Sequence, residues 1–291
     1  MLVEEHDDDD DVLGSEVVLH VLPAARAPVA VVFRREGEWW LLARWDLQTG
    51  ALEPGAWLRG TLYPRCSDVS PDGQLLHYLM AKRSRRPFMG MVGRQTYSAL
   101  SRVPWAFALA AWPESGTETW GYHFVAPGRW DPGRPGHGDD TTLRQRYGLA
   151  RTAPTQYAAE RRRGWVEHES CPLPVPGDAW DEQREVVLAR PSPVRPDLRL
   201  VLQDRGWSED EPGRIEGRAP EYRLEIDGRA IELDDVTWAD WIPSGHLIVA
   251  TDDARLQVRE ADRARGPALH EHDLLEVRRA PGPAPDWAQR L

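Results

Sequence analysis

The chain has 291 residues, 41% of them hydrophobic, enough to build one large all-β domain or two smaller domains around a real core. Its formal net charge is −11, an acidic balance that argues against non-specific binding to nucleic acid or to an anionic membrane. Two cysteines are too few for a disulfide framework, and no apolar run reaches the roughly 18 residues of a transmembrane helix.

The two ends of the chain are predicted to lie outside the folded domain. Residues 1–14 contain the run Asp7–Asp11, whose carboxylates repel one another and bury nothing, so we predict a disordered acidic tail. This acidic start does not fit a secretory leader, which favours a cytoplasmic location. Residues 15–277 are predicted to form the domain, with an irregular insertion at about 126–154, and residues 278–291 a Pro-rich C-terminal tail.

Two pairs of strands have strong hairpin signals. The apolar runs Val29–Phe33 and Trp39–Trp45 are separated by a short turn that contains Gly37. Asp227-Gly228 separates Tyr222–Ile226 from Arg229–Leu233, and this dipeptide is typical of a type I′ turn.

Two further segments are predicted to be strands with defined positions. Glu16–Leu22 is expected to pair with C-terminal strands and so close a ring of sheets. Trp105–Trp112 is nearly all apolar, which favours a strand buried on both faces near the axis of the domain, with a helix as the alternative.

The segment Cys66–Leu79 reads as strand, tight turn and strand. Its turn is Ser70-Pro71-Asp72-Gly73, in which proline presets φ, aspartate bonds its own backbone and glycine takes positive φ. Ala239–Ala250 repeats the pattern, with Asp240 in the position of Asp68. The two copies lie about four intervals of 43 residues apart, the usual length of a four-stranded propeller blade. Ala110–Gly116 is predicted to be a degenerate third copy.

This turn followed by an apolar strand resembles the repeat of TolB-type, WD-like β-propellers, over Asp68–Leu79 and Asp240–Ala250. The resemblance implies an all-β fold with a single β-propeller-like domain, of five blades or, as the alternative, six. It carries no catalytic residue onto this chain. The abundance of Arg, Ala, Pro and Gly suggests a bacterial genome of high GC content.

The irregular insertion is where the sequence predicts a binding surface, since long loops in compact domains tend to be functional or disordered. Aromatic and arginine side chains are typical interface anchors, so the candidate binding residues are Arg129, Trp130, Arg134 and His137, with Trp207 on a charged loop. These features predict a non-catalytic protein-interaction or scaffold module with a protein or peptide partner. Neither nucleic acid, membrane nor cofactor is expected as a ligand.

The alternative function is that of a propeller-fold hydrolase acting on a glycan, with Asp68 and Asp240 as central carboxylates. Their shared position in the repeat favours a structural role instead, in which each accepts backbone N–H groups. No catalytic motif with recognised spacing is present in the sequence, so no catalytic residue is predicted.

Three further groups of ionisable residues are candidate sites. His270 and His272 alternate as on one face of a strand and could share a metal, but an exposed strand face is favoured and no metal site is predicted. The basic runs Lys82–Arg86 and Arg161–Arg163 are predicted to be solvated loops. Partner, substrate, blade number and oligomeric state stay open.

Overall fold

The structure is a computed structural model of the chain. It describes residues 17–88, 91–114, 121–125, 146–152, 156–171, 185–205, 220–261 and 266–290, with the backbone alone between 83 and 95.

The predicted all-β fold is confirmed: the described residues form five antiparallel sheets, called A to E in chain order. Sheet A contains β1 (Val18–Pro23), β2 (Val29–Glu36), β3 (Trp39–Asp46) and β4 (Leu52–Arg59), and sheet B contains β5 (Thr61–Val69), β6 (Leu75–Phe88), β7 (Met91–Arg102) and β8 (Ala110–Glu114). Sheet C contains β9 (Tyr122–Phe124) and β10 (Leu149–Arg151). Sheet D contains β11 (Val166–Glu167), β12 (Val186–Pro191), β13 (Leu198–Asp204), β14 (Glu221–Ile226) and β15 (Arg229–Glu232), and sheet E contains β16 (Val236–Trp241), β17 (Leu247–Thr251), β18 (Arg255–Arg259) and β19 (His270–Asp273). The short helix α1 (Ala158–Arg162) precedes β11, and single 3-10 turns follow at Leu274–Glu276 and Asp286–Gln289.

Both predicted hairpins are confirmed. Strands β2 and β3 pair through the last register position Glu36–Trp39, which leaves Gly37 in the turn at φ 57°. Strands β14 and β15 are joined by Asp227 and Gly228 at φ 50° and 72°, the two positive φ values that a type I′ turn requires.

The repeated turn has the same place in two sheets, between the first and second strands of B and of E. In sheet B, Ser70 Oγ donates to Asp72 at 2.6 Å and accepts from the Leu75 amide at 2.9 Å, which closes the turn. Gly73 and Gly245 take positive φ at 73° and 83°, as the turn chemistry predicted.

The hydrophobic core consists of layers between neighbouring sheets. Sheet A is buried on both faces, because Val32 and Trp45 belong to a cluster shared with sheet E whereas Phe33 belongs to one shared with sheet B. Further clusters join B to C and D to E. The first and last sheets are therefore neighbours, although they are far apart in sequence.

Three predictions about strands are corrected by the pairing. Strand β1 pairs with β2 of its own sheet and not with C-terminal strands, which it contacts only by packing against β16 and β17. The run Trp105–Trp112 is not one strand: β8 begins at Ala110 and Phe107 is 42% exposed. The third copy predicted at Ala110–Gly116 begins in β8, the outermost strand of sheet B, which pairs with β7 alone. The other two copies lie between the first and second strands of their sheets, so this position is not equivalent to theirs.

The C-terminal segment after sheet E lies against sheets A and B. The Arg34 guanidinium donates to the Val277 carbonyl at 2.8 Å, and the Arg279 guanidinium lies 5.0 Å from the centre of the Trp39 ring. Further on, Arg102 Nε donates to the Arg290 carbonyl at 2.7 Å. The described part of this segment is thus held at both ends.

Candidate binding site at the centre of the sheets

Charged side chains from strands of several sheets meet helix α1 in one enclosed cluster, which we call the central cluster. Its members carry both signs of charge and are Arg65, Asp68, His123, Tyr157, Glu160, Arg162, Arg163, Arg190, Asp204 and Asp240. Centres of sheet assemblies are common ligand sites because many strand ends converge there.

Asp240 on β16 is the most deeply placed carboxylate of the cluster, with no exposed surface. It accepts from Arg163 Nε at 2.9 Å, from the Trp165 indole N–H at 3.2 Å and from the Trp241 amide at 2.9 Å. Arg190 from sheet D also donates to it. Asp240 thereby ties sheets D and E to the segment around α1, and two cations offset the cost of burying its charge.

Asp68 occupies the equivalent position in sheet B and has fewer partners. Its Oδ2 accepts from the Phe124 amide of β9 at 2.9 Å, a bond that joins sheets B and C. Burial raises the pKa of the Asp68 carboxyl, and Arg162 opposes that rise. The backbone N–H bonds that the sequence predicted for these two aspartates are present, and one of them crosses to the next sheet.

Arg65 on β5 lies with its guanidinium 4.9 Å from the centre of the Tyr157 ring, a cation–π contact. The Tyr157 hydroxyl donates to Asp204 Oδ2 at 2.5 Å, which fixes the ring. Arg65 is exposed to solvent. Its pKa is raised chiefly by Tyr157, with Glu160 and Asp204 adding to the effect.

Arg162 ends helix α1 and lies within electrostatic reach of Asp68 and of His123. It is exposed by surface area, yet burial is the main reason that its pKa is lowered. Burial and the nearby Arg162 charge lower the pKa of His123 to about 4, so that imidazole is neutral at neutral pH. His123 Nδ1 is hydrogen-bonded to the Thr152 hydroxyl at 3.2 Å.

The prediction that Arg161–Arg163 forms a solvated loop is therefore wrong. These residues complete a helical turn, and Arg163 binds Glu160 at 3.0 Å as well as Asp240. A run of three arginines gives no local sign of burial, since its carboxylate partner Asp240 belongs to a distant strand. The strand pattern of Asp240 was the only signal in the sequence that could have suggested this pairing.

A second feature with binding potential is the hairpin of β6 and β7, which extends beyond the rest of sheet B. The last β6 residue paired with β5 is Ala81, and the first β7 residue paired with β8 is Thr96. Between them, residues 82–88 and 91–95 form a two-stranded extension, which we call the basic ribbon because it contains five basic residues and no acidic one. The predicted loop Lys82–Arg86 is thus part of strand β6, whose residues 82–84 pair with β7.

A groove of about 640 Å³ lies at the base of the basic ribbon, between sheets A and B. Its lining includes Arg35, Glu38, Trp40, Thr61 and Ala81. The Trp40 indole N–H donates to a carbonyl of the connection to β5 at 3.1 Å, and the Arg35 guanidinium lies 5.8 Å from the centre of that ring. The groove thus combines an aromatic wall with charges of both signs.

The residues chosen from the sequence as binding anchors lie outside the described residues. Arg129, Trp130, Arg134 and His137 fall within 126–145, and Trp207 falls within 206–219. Their placement stays a prediction.

The alternating histidines of β19 have defined surroundings. His272 Nε2 is hydrogen-bonded to the Gly50 carbonyl, and its ring meets Trp45 edge-on at 6.5 Å. His270 lies against Gly50, since a Cβ added there would meet its ring at 2.7 Å. The pair therefore joins sheet E to sheet A. Across the described ranges, no three His, Cys, Asp or Glu side chains are grouped as metal ligands.

Comparison with known proteins adds limited information. No family model matches the chain. A stretch of 94 residues is 37% identical to the small ribosomal subunit protein uS14A of Rhodococcus jostii (strain RHA1), which covers 32% of this chain and 90% of that protein. This similarity leaves about two thirds of the chain without a counterpart.

The solved structures similar to the chain have low TM-scores, and one of them is a β-propeller domain. The β-propeller domain of the trilobed protease from Pyrococcus furiosus matches with a TM-score of 0.22 at 10% identity, over 80% of this chain and 63% of that one. A putative 6-phosphogluconolactonase from Bacteroides fragilis NCTC 9343 matches with a TM-score of 0.28 at 12% identity, over 91% of this chain and 97% of that one. The chain thus spans less than two thirds of the trilobed protease domain. Similarity at this level carries no argument about function.

The described helices of the chain are all short, and none has both the length and the apolar character required to cross a membrane.

Proposed function

We propose that this chain is a five-bladed β-propeller that acts as a non-catalytic protein-interaction module. In this proposal it binds an acidic segment of a partner protein along the basic ribbon and in the groove at its base. The observation that carries the proposal is the basic ribbon, a hairpin of uniform positive charge that extends past its own sheet on a chain of net charge −11.

Five blades are supported by the order and packing of the sheets. Sheets A to E follow one another along the chain, and the cores pair A with B, B with C and D with E. The core shared by E and A brings the last sheet back to the first, as ring closure requires.

An acidic and extended partner fits both features of this surface. Beyond Ala81 and Thr96 no described strand pairs with the outer edges of the ribbon, so their backbone groups suit the addition of a strand. Arg35 stacked on Trp40 supplies the aromatic and arginine combination that is typical of interface anchors. Positive charge on the ribbon attracts the partner and accelerates its association.

The structure gives less support to the alternative function, that of a glycan hydrolase. Asp68 has the raised pKa of a possible general acid. Asp240, its proposed companion, is fully buried and its oxygens accept from two arginines, an indole and an amide. A catalytic carboxylate must reach a sugar or a water, which these bonds prevent.

The proposal is tested by charge reversal on the ribbon. A double variant, Arg83→Glu with Arg85→Glu, should reduce retention of partners from a lysate of the source organism, and a synthetic acidic peptide should compete for binding to the wild type. Arg205→Glu with Arg229→Glu, at an exposed position after β13 and at one on the edge strand β15, is the matched control for the same change in net charge. Thr61→Tyr, which narrows the groove, should weaken binding without changing the charge of the ribbon.

The insertion predicted from the sequence gives a competing location for the same function. If Trp130→Ala with Arg134→Ala removed the partner and the ribbon variant retained it, the partner would bind the loop and the ribbon assignment would be wrong.

A further inference from the structure

The chain enters its fold beside the groove at the base of the basic ribbon. Val18, the first residue of β1, pairs with Arg35 of β2, and Arg35 pairs in turn with Trp40 of β3. Residues directly opposite one another in antiparallel strands share a face of the sheet, and both Arg35 and Trp40 line the groove. The residues that precede β1 therefore start one strand, about 5 Å, away from the groove lining.

Residues 1–16, which we call the leading segment, carry charge of the opposite sign to the basic ribbon. They lie outside the described part of the chain. Their sequence contains eight acidic residues and neither arginine nor lysine, whereas the ribbon contains five basic residues and no acidic one. Complementary charges of this kind attract one another and select against other surfaces. The leading segment thus has the composition that the ribbon attracts.

The acidic run Asp7–Asp11 has enough chain behind it to reach the ribbon. Residues 12–17 connect the run to β1 and span up to about 20 Å when extended, and the whole leading segment spans up to about 50 Å. The ribbon continues β6 from Ala81 through residues 82–88, which is about 23 Å at the rise of a strand. The run can therefore lie along the ribbon without any change in the described sheets.

We propose that Asp7–Asp11 binds the basic ribbon of its own chain and occupies the surface on which an acidic partner would bind. Val12 and Leu13, which stand between the acidic run and β1, then lie against the Trp40 wall of the groove. A tether of this length holds the run at an effective concentration of about 1 mM, so that individually weak ion pairs are sufficient for occupancy. A partner must displace the run, which lowers the apparent affinity for that partner. Only this competition rests on the proposed function, and the contact within the chain does not.

The contact is tested first by a zero-length cross-link. Lys82, at the start of the ribbon, is the single lysine of the chain, and its side chain is exposed. A carbodiimide joins carboxylates to amines in contact with them, so apart from the α-amino group it can join the leading segment only to Lys82. Mass spectrometry of the cross-linked monomer should find Lys82 joined to Asp7–Asp11. The yield should fall several-fold in about 0.5 M sodium chloride, because salt screens exposed charges.

Two outcomes of this measurement would overturn the contact. If Lys82 joined carboxylates elsewhere, such as Glu38 of the groove, and never joined Asp7–Asp11, the run would not lie on the ribbon. A mixture of isotope-labelled and unlabelled protein shows which chain supplies each side of the cross-link. Pairs of labelled with unlabelled chains in the statistical proportion would place the run on the ribbon of another copy.

The second test measures competition in the full chain, with a fluorescein-labelled synthetic peptide of eight glutamates as the probe and anisotropy as the readout. One variant neutralises the run and keeps its length: Asp7→Asn, Asp8→Asn, Asp9→Asn, Asp10→Asn and Asp11→Asn. This variant should bind the probe about tenfold more tightly than the wild type, as expected for a run with a dissociation constant of about 0.1 mM at an effective concentration of about 1 mM.

A matched control removes five carboxylates that are exposed elsewhere: Glu53→Gln, Glu232→Gln, Asp252→Asn, Glu276→Gln and Asp286→Asn. Affinity for the probe should stay close to that of the wild type. An equal gain in both variants would show relief of general repulsion and would overturn the competition.

These outcomes separate the contact from the proposed function. If the cross-link forms but no partner is retained from the lysate, the contact within the chain stands and the interaction function fails. If a partner is retained through the ribbon and the asparagine variant binds the probe no better than the wild type, the interaction function stands and the contact within the chain fails.

Discussion

Replacing His77 should remove a specific acid sensitivity from the fold. His77 on β6 has no exposed surface, stacks on Trp112 with ring centres 5.9 Å apart and meets the Tyr122 ring edge-on at 5.5 Å. No well-formed hydrogen bond from the described residues reaches either ring nitrogen, although the Tyr122 backbone lies close by. Burial lowers the pKa of this imidazole to about 3, so the imidazole is neutral in the folded protein.

The magnitude follows from proton linkage. In the unfolded chain the imidazole has a pKa of about 6.5 and is largely protonated at about pH 5, whereas in the folded protein the His77 imidazole is neutral at that pH. Acid therefore favours unfolding: the stability is fully present above about pH 6.5 and declines as the pH falls toward about 3. From about pH 7.5 to pH 5 the contribution of His77 to the free energy of unfolding should fall by about 2 kcal/mol.

The variant His77→Phe isolates this contribution. Any repacking cost against Trp112 is the same at both pH values and cancels when each protein is compared with itself. Urea unfolding followed by tryptophan fluorescence at about pH 7.5 and pH 5 measures the loss in each protein. His20 and His123, whose pKa values burial also lowers, sensitise both proteins equally. If the variant lost as much stability on acidification as the wild type, the buried neutral imidazole would not be the cause.

Two further changes test the contacts between sheets. Gly121→Ala should lower the free energy of unfolding by about 2 kcal/mol or more, because φ is 65° and the new Cβ would lie 2.1 Å from the Cys66 carbonyl oxygen. Gly228→Ala, at φ 72° in open space, should lower it by only about 1 kcal/mol. Equal shifts of the urea midpoint in the two variants would contradict the close contact of sheets B and C. Asp240→Asn should lower the free energy of unfolding by about 3 kcal/mol or more, because it leaves two arginines without their carboxylate. Asp68→Asn should lower it by about 1 kcal/mol, because one hydrogen bond to a backbone amide is weakened. The thermal unfolding midpoints of the two variants at neutral pH check this order.

The features predicted correctly from the sequence are those that a few neighbouring residues determine. Asp227 and Gly228 impose a tight turn whatever surrounds them, and Gly73 closes its turn through Ser70 and Asp72. Continuous apolar runs likewise identify strands β2 and β3 of sheet A, which are buried on both faces. Such signals locate strands and hairpins without any knowledge of the neighbouring sheet.

The features that sequence reasoning missed depend on which sheets become neighbours. In the sequence, Arg163 belongs to a basic run that suggests exposure to solvent. In the structure it pairs with Asp240 of sheet E, which is far away in sequence. The apolar run after Trp105 looks like an axial strand, but β7 ends at Arg102 and only the part of the run from Ala110 pairs in a strand. The candidate site consists almost entirely of such long-range pairs, so its chemistry could not be derived from local patterns.

The positions of the positively charged residues change what the overall negative charge implies for binding. At the level of composition, a net charge of −11 argues against non-specific binding to nucleic acid or to an anionic membrane. Since the basic ribbon alone carries five positive charges, the remainder of the chain is more acidic still. In the proposed function, this acidity repels an acidic partner from much of the exterior, whereas the ribbon attracts it. Charge then favours encounters at the ribbon over encounters elsewhere.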